Sequence, residues 1–325
     1  MTGVAVIGCG QISDLHLAAY ADRQDATITA LADVRPQAAQ RQRDRFGLGQ
    51  AVVTAEYREV LARPDVDLVE ILVPHQLHRR VALEALHAGK HVSLQKPMGI
   101  SMAEADDLVA GAAASSGCAR VFENFLFYPP VMRAKQIIDS GELGDILTIR
   151  LKSAAGYNPA AWPPPAEPWR SDRERCGGGQ MVFDDGHHKF ALAWYLGGLA
   201  EVVHAFIESR PLASGAVLDV PALVSWRYAS GALGSFEATY SPGLFVETGQ
   251  YPQDDRIEVT GTKGIMWVTR GHGRLLNVPP VVVSSSAPAP RLPASTMSKL
   301  TGRLASAPPP RISSTSWPRA RTSPG

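Results

Sequence analysis

A glycine-rich turn directly after the first apolar run is the feature of this sequence that most constrains its fold. The turn follows Val4–Ile7, opens a helix-like segment, and reads Gly8-Cys9-Gly10-Gln11-Ile12-Ser13. The first glycine permits a tight turn, and the second lets the backbone approach a pyrophosphate held at the helix N-terminus. Ser13 stands where a third glycine is usual and is small enough for the helix to pack closely on the strand. This strand–turn–helix pattern predicts a dinucleotide-binding Rossmann domain.

The first 123 residues alternate short apolar runs with alanine-rich, amphipathic segments. Such alternation predicts a doubly wound α/β domain, in which helices cover both faces of a parallel sheet. The helical segments include Arg35–Phe46 and Leu77–Ala88, and a Ser101-Met102-Ala103-Glu104 capping box opens another helix. The predicted strands are Val4–Ile7, Ile28–Ala32, Ala51–Val53, Leu68–Val73, His91–Leu94 and Ala119–Phe122.

Residues 124–280 have a different pattern, which predicts an α+β domain with an open, mostly antiparallel sheet. Helical periods cover Val131–Ser140 and Val182–Leu196, and a loop rich in Pro, Trp and Gly covers 156–179. Loops of that length are often functional. The predicted strands are Ile146–Ser153, Val202–Glu208, Ala222–Tyr228, Ala232–Tyr240, Arg256–Thr260 and Ile265–Thr269.

The last segment, 281–325, has a composition unlike the rest of the chain. It contains six Arg or Lys residues, no Asp or Glu, and many Ser and Pro residues, without a helical or strand period. This composition predicts a disordered or poorly packed tail. The abrupt change also leads to the hypothesis that the sequence from about Ser284 is the product of a reading-frame shift, which resequencing the gene would test.

Composition narrows the class of protein. No apolar run approaches the length of a membrane span, and the first 280 residues have a slight excess of acidic residues, which argues against nucleic-acid binding. Cys9, Cys118 and Cys176 are scattered and lack CxxC spacing, so we expect free thiols and a cytoplasmic location. The composition therefore points to neither a membrane protein nor a nucleic-acid-binding protein.

An acidic residue follows the second predicted strand and favours NAD as the cofactor. The carboxylate of Asp33 can bind the ribose hydroxyls and would repel a 2′-phosphate. Arg35 lies nearby and leaves NADP possible, and the alternative for the whole region is a plain glycine turn with a surface Asp33. His78 is either a cofactor contact or a solvated residue at the start of a helix. The expected cofactor contacts are Gly8, Gly10, Gln11, Ile12, Asp33, Pro74, His78, Gln95 and Lys96.

Three residues form the expected catalytic group. Lys96 follows the fifth strand, where its ammonium can stabilise the alkoxide-like charge that develops on a substrate oxygen during hydride transfer. Asp184 and His188 are four residues apart and share one face of a helix, so the imidazole can act as base while the carboxylate orients it or binds substrate. His187 replaces His188 if the helix register differs. The alternatives are a solvated lysine and a hydrogen-bonded helix histidine.

The long loop and its neighbours carry candidate substrate contacts, with ordinary loop packing as the alternative. These candidates are Asn124, Tyr157, Trp162, Trp169, Arg170 and His187. Four side chains near the predicted base are of metal-binding types. They are Asp184, Asp185, His187 and His188. Because HExxH-like spacing and supporting cysteines are absent from the sequence, we expect no metal site.

Four motifs, taken together, resemble one family. They are Gly8-Cys9-Gly10-Gln11-Ile12, Pro74-His75-Gln76-Leu77-His78, Gln95-Lys96-Pro97 and Asp184-Asp185-Gly186-His187-His188, in that order. Over residues 3 to about 278 the chain resembles the Gfo/Idh/MocA family (glucose–fructose oxidoreductase, inositol dehydrogenase and rhizopine catabolism). The resemblance implies an NAD(P)-dependent dehydrogenase that acts on a sugar, inositol or related polyol. It also implies oligomerisation through the sheet, as a homodimer or homotetramer.

The chain departs from the family pattern in two places. Gln95 stands where the family has Glu, which removes a charge beside Lys96, and the expected ordered C-terminal segment is lacking. The leading interpretation is hydride transfer with His188 as base, Lys96 as electrostatic partner and Asp184 as orienting carboxylate. The alternatives are a non-catalytic NAD-binding sensor or regulator and a redox-neutral NAD-dependent glycosidase. Net production of NADH separates the dehydrogenase from the glycosidase.

Overall fold

The computed structural model describes residues 1–161, 169–211, 217–271 and 273–285, which form two large sheets. The strands of the first sheet are β1 (Thr2–Ile7), β2 (Ala26–Ala32), β3 (Val52–Thr54), β4 (Leu68–Ile71), β5 (His91–Gln95) and β6 (Ala119–Phe122). All neighbouring strands are parallel, in the order β3-β2-β1-β4-β5-β6. The predicted doubly wound sheet is confirmed.

Five α-helices accompany this sheet within the described residues. They are α1 (Ser13–Tyr20), α2 (Pro36–Arg45), α3 (Tyr57–Leu61), α4 (His78–His87) and α5 (Met102–Ala114). The apolar run of β1 is buried because helices cover both faces of the sheet. The Ser101 side chain accepts a hydrogen bond from Glu104 N at 3.2 Å, which is the N-cap half of the predicted capping box.

The carboxyl ends of the parallel strands meet at one edge of the first sheet. Gly8 follows β1, Asp33 follows β2, and Pro74 lies just beyond β4. Lys96 follows β5 and Glu123 follows β6. Ligands of doubly wound sheets bind at this edge. The topology therefore brings candidate residues from distant parts of the chain to one place.

The second sheet is open and mostly antiparallel, as predicted. The remaining strands are β7 (Ile146–Tyr157), β8 (Ala200–Ile207), β9 (Arg210–Pro211), β10 (Val217–Leu218), β11 (Ala222–Tyr228), β12 (Leu233–Phe245), β13 (Gln253–Gly261), β14 (Gly264–Val268) and β15 (Val281–Ser285). The large sheet has the order β15-β14-β13-β7-β12-β11-β8, and β9 pairs separately with β10. Only β7 and β12 run parallel among the described pairs of this sheet.

Helices cover one face of the second sheet. These helices are α6 (Pro129–Asp139) and α8 (Gly186–Gly197). The described residues also include α7 (Arg173–Cys176), where the carbonyl oxygen of Cys176 lies 2.9 Å from Nδ1 of His75 in the first half. Val131 of α6 and Leu192 of α8 share an apolar core with inward-facing strand residues such as Ile149 and Phe236. The strict alternation of buried and exposed residues along β11 shows that this sheet has one covered face and one open face.

The structure corrects the predicted start of the tail. Val281–Ser285 form β15, which pairs antiparallel with β14, because three consecutive valines favour a strand that extends an open sheet. The predicted tail therefore does not begin at 281. Residues 286–325 lie outside the described residues, and most of the frame-shift hypothesis applies to them. Trp162, a candidate substrate contact, also lies outside the described residues. No helix within the described ranges is long and apolar enough to cross a membrane.

The predicted helix Val182–Leu196 changes its geometry near its start. Gln180–Asp185 form a π-helical turn, and α8 begins only at Gly186. The carboxylate of Asp219 accepts hydrogen bonds from the first backbone N–H groups inside this turn, at 2.7 and 2.8 Å. Because a π-turn changes the helical period, the residues before and after it do not share the face that a regular α-helix would give them.

Candidate active site

The glycine turn has the shape that a dinucleotide pyrophosphate requires. Gly8 has a φ of +98°, and a Cβ at this position would lie 2.6 Å from the carbonyl oxygen of Leu72. A Cβ built on Gly10 would meet no atom of the described residues within 4 Å, so that side of the turn is open for a ligand to approach the backbone. Gln11 lies in the turn, and Ile12 packs its side chain against the core. These residues fit an NAD pyrophosphate.

Asp33 lies beside the glycine turn, at the position that the sequence predicted. Its Oδ2 accepts a hydrogen bond from Cys9 N at 2.8 Å, and its Oδ1 accepts one from Arg35 N at 2.8 Å. The two bonds anchor the carboxylate between the turn and the start of α2. A ribose bound there would meet a negative charge whose position is set by the backbone.

The structure corrects the prediction that His78 contacts the cofactor. His78 is fully buried, and its two ring nitrogens lie 2.7 Å from Pro97 O and 2.9 Å from Val73 O. Burial lowers the pKa of His78. The neutral ring has a single N–H to donate to one of these two carbonyls, and it packs between the turn after β4 and the turn after β5.

Lys96 is paired with Asp184, across the two sheet-bearing halves of the structure. Lys96 Nζ donates to Asp184 Oδ1 at 2.6 Å and to the Asp184 backbone carbonyl at 2.7 Å. Arg170 Nε donates to the second carboxylate oxygen at 2.8 Å, and His75 Nε2 lies 3.6 Å from the first. Burial alone would raise the pKa of Asp184, but the charges of Lys96 and Arg170 outweigh it and hold that pKa far below its ordinary value.

The carboxylate that contacts the predicted base is Glu123, not Asp184. His188 Nδ1 lies 2.7 and 2.8 Å from the two oxygens of Glu123, and the ring stacks on Phe125 with 4.4 Å between centroids. The expectation that Asp184 orients His188 is therefore corrected, because the carboxylate of Asp184 is bound by Lys96 and Arg170 instead. Burial and the charge of Lys96 lower the pKa of His188 to about 4. A neutral imidazole with Nδ1–H on Glu123 has Nε2 free to accept a proton.

His187 shares the same carboxylate. Its Nδ1 lies 3.2 Å from Glu123 Oε2, and its side chain is more exposed than that of His188. Hydrogen bonds from both rings outweigh burial and hold the pKa of Glu123 well below its ordinary value. Sequence reasoning named Asn124 but missed Glu123, although Glu123 directly follows β6 at the same edge. Its position at the end of a predicted strand was the sequence signal that could have identified Glu123 as a site residue.

The three side chains Glu123, His187 and His188 offer possible metal ligands within 4.8 Å of one another. The candidate set in the sequence was a different one, in which Asp184 and Asp185 accompanied the two histidines. Zinc lies about 2.0–2.2 Å from N and O ligands, so atoms 2.7–2.8 Å apart would subtend only about 80–85° at the ion. This is far below the tetrahedral angle. The contact between Glu123 and His188 instead has the length of an N–H···O hydrogen bond.

The candidate substrate residues separate into two groups. The indole of Trp169 lies 4.5 Å from the ring of His75, and the guanidinium of Arg170 lies 4.5 Å from the indole. These residues therefore join the cluster around Asp184. Asn124 is exposed beside Glu123. Tyr157 instead packs against Phe245 at the end of β7, with 5.8 Å between ring centroids.

Comparisons with known proteins give the following matches. Residues 2–124 match a family described as an oxidoreductase family with an NAD-binding Rossmann fold, and residues 131–267 match the GFO/IDH/MocA C-terminal domain. Levoglucosan dehydrogenase of Pseudarthrobacter phenanthrenivorans is 28% identical over 73% of this chain and 67% of that protein. Myo-inositol 2-dehydrogenase of Thermotoga maritima is 28% identical over 80% of this chain and 73% of that protein.

The solved structures agree with these relatives. Levoglucosan dehydrogenase in complex with NADH and L-sorbose has a TM-score of 0.71 and 26% identity, over 83% of this chain and 73% of that chain. GenD2 from gentamicin A biosynthesis, in complex with NAD, has a TM-score of 0.71 and 25% identity, over 82% of this chain and 72% of that chain. Both similarities extend over the two sheets.

Proposed function

The chain belongs to the GFO/IDH/MocA family of NAD-binding oxidoreductases, and on that premise we propose that it transfers hydride between a hydroxyl-bearing carbon of a sugar, inositol or related polyol and the nicotinamide. Bound NAD would supply the hydride acceptor. The observation that carries the proposal is the pairing of Lys96 with Asp184 and of His188 with Glu123 at the edge where the cofactor site lies. An ammonium and a neutral base near one substrate hydroxyl are the groups that alcohol oxidation needs.

His188 is proposed as the base. Its Nε2 takes the proton of the substrate hydroxyl while the hydride leaves the carbon that bears this hydroxyl. Glu123 holds Nδ1–H and stabilises the imidazolium that forms, so the orienting role expected of Asp184 passes to Glu123. The low pKa of His188 keeps the ring neutral before the reaction.

Lys96 is proposed as the electrostatic partner. Its ammonium donates a hydrogen bond to the substrate oxygen, where negative charge develops as the proton leaves. Asp184 and Arg170 hold Lys96 at the edge of the sheet, because the buried carboxylate bridges both cations. Asp184 is therefore a positioning residue. Arg170 can donate to a sugar hydroxyl, and the indole of Trp169 can pack on the face of a sugar ring.

Named relatives support the substrate class, since they are dehydrogenases of levoglucosan and of myo-inositol. A panel of sugars, inositols, polyols and anhydrosugars with NAD, followed by absorbance of NADH, tests the proposal. We expect at least one member of the panel to reduce NAD. Binding of NAD without turnover of any member would favour the sensor, and glycoside cleavage without net NADH would favour the glycosidase.

Cofactor choice is predicted to depend on Asp33. Asp33→Ser, with Arg35 kept, should raise the NADP-to-NAD ratio of kcat/KM by about tenfold or more, because a like charge no longer faces the 2′-phosphate. Asp33→Asn is the matched variant, since it removes the charge and keeps an oxygen for Cys9 N, while its NH2 group gives up the hydrogen bond from Arg35 N. Titrating both cofactors against the three proteins measures the ratios. An unchanged ratio in both variants would remove Asp33 from this role.

Self-association is predicted through the open face of the second sheet. Phe206, Leu223 and Leu233 are exposed and lie on the face opposite to the helices. Phe206 and Leu223 are neighbours across the β8–β11 pair, and exposed apolar residues that share one sheet face mark interaction surfaces. Sedimentation at micromolar concentration should show a dimer or tetramer, and Leu223→Asp should shift it toward monomer. Monomer alone in the wild-type protein would count against the prediction.

A further inference from the structure

A chain of buried polar groups beneath Lys96 takes no part in the chemistry proposed above. His16 of α1 and Glu70 of β4 are 7% and 6% exposed. His16 Nδ1 lies 2.9 Å from Glu70 Oε2, and His16 Nε2 lies 3.1 Å from the side-chain nitrogen of Gln95. The side-chain oxygen of Gln95 then accepts a hydrogen bond from the backbone N–H of Lys96 at 2.8 Å. The chain thus runs from a buried carboxylate to the backbone of the active-site lysine.

The carboxylate at one end sets the direction of every hydrogen bond in this relay. Burial by itself raises the pKa of Glu70, but hydrogen bonds from His16 and Tyr20 outweigh it and hold that pKa below its ordinary value. Glu70 is therefore an acceptor only, so His16 carries a proton on Nδ1. At the other end, Gln95 must present its oxygen to the Lys96 N–H. Its NH2 group then faces His16 Nε2, which has to be the unprotonated nitrogen.

We propose that Glu70 and His16 are positioning residues that act through Gln95 to hold the backbone of Lys96 and so aim its ammonium at the substrate oxygen. This inference rests on the proposed function, which assigns that role to Lys96. A misplacement of about 1 Å at a reacting centre can cost about a hundredfold in rate. The relay explains why Gln95 can stand where the family has Glu. An amide both donates to His16 and accepts from the Lys96 N–H, and Glu70 carries the negative charge.

The direction of the relay can be measured without any substrate. In 15N NMR spectra at neutral pH, the ring of His16 should carry its proton on Nδ1 and have a bare Nε2. The signals are assigned by their loss in His16→Gln. A proton on Nε2, or on both nitrogens, would overturn the proposal, because Gln95 would then have to turn its NH2 group toward the Lys96 N–H.

Two variants of His16 test the effect on turnover. His16→Phe keeps an aromatic ring but removes both hydrogen bonds, and it should lower kcat by about tenfold or more while the Kd for NADH stays within about threefold. His16→Gln carries a donor and an acceptor spaced much like the imidazole nitrogens, so it should keep kcat within about threefold of wild type. Tyr57→Phe is the control, because it removes a similar tyrosine–carboxylate hydrogen bond, to Glu84, that is not part of the relay.

The outcomes separate this inference from the proposed function. Equal kcat in folded His16→Phe and His16→Gln would overturn the positioning role. If His16→Phe does not fold, as judged by circular dichroism, the tautomer of His16 in the wild-type protein still decides. If the wild-type protein turns over no compound of the panel, the proposed function fails, while the tautomer measurement still supports or contradicts the relay.

Discussion

Replacing His188 by alanine is expected to lower kcat by about a hundredfold or more while the Kd for NADH stays within about threefold, because general-base catalysis contributes on that order. His188 Nε2 is the proposed proton acceptor, and Glu123 occupies Nδ1. Kinetics on the substrate found in the panel and a fluorescence titration with NADH measure the two quantities. Near-wild-type turnover in His188→Ala would show that the base lies elsewhere.

Neighbouring residues provide the controls for that experiment. Glu123→Gln should lower kcat by about tenfold or more, because an amide cannot neutralise the imidazolium that forms on His188. His187→Ala should have the smaller effect, since His187 is more exposed and has the longer contact with Glu123. An inactive His187→Ala beside an active His188→Ala would assign the base to His187.

The acid side of the pH profile follows from the same geometry. An ordinary histidine base, with a pKa of 6.5, would lose activity progressively as the pH fell below that value. Burial and the charge of Lys96 lower the pKa of His188 to about 4, so the neutral form persists well below pH 6.5. We therefore expect kcat/KM of the wild-type enzyme to show no acid limb near 6.5. A limb centred at that value would contradict a buried His188 as the base.

Lys96→Ala is the second variant with a large expected effect, a loss of about a hundredfold or more in kcat, because preorganised electrostatic stabilisation contributes on that order. The variant also leaves Asp184 with Arg170 as its remaining cationic partner, so its melting temperature should be measured alongside. Lys152→Ala is the control, since that lysine makes an exposed ion pair with Glu237 on the second sheet. Turnover close to that of wild type in folded Lys96→Ala would exclude the electrostatic role.

The sequence by itself determined the architecture of the cofactor half. A glycine turn after an apolar run and the alternation of strands and helices are local signals. The carboxyl ends of parallel strands share one edge, so the sequence alone places Gly8, Asp33 and Lys96 together. The motif Asp184-Asp185-Gly186-His187-His188, by its resemblance to the family, indicated that His188 also belongs to the site. All of these signals lie within short segments, where periodicity and turn chemistry are readable.

Only the tertiary structure decided which groups are partners. Glu123 lies 65 residues from His188, and Lys96 lies 88 residues from Asp184, so no local pattern connects either pair. The expected pairing of Asp184 with His188 rested on their spacing along one helix, but each side chain has its partner on a distant segment instead. A sequence shows which residues are able to act as acids, bases and hydrogen-bond partners. Which of them meet depends on contacts that form only when two distant segments are packed together.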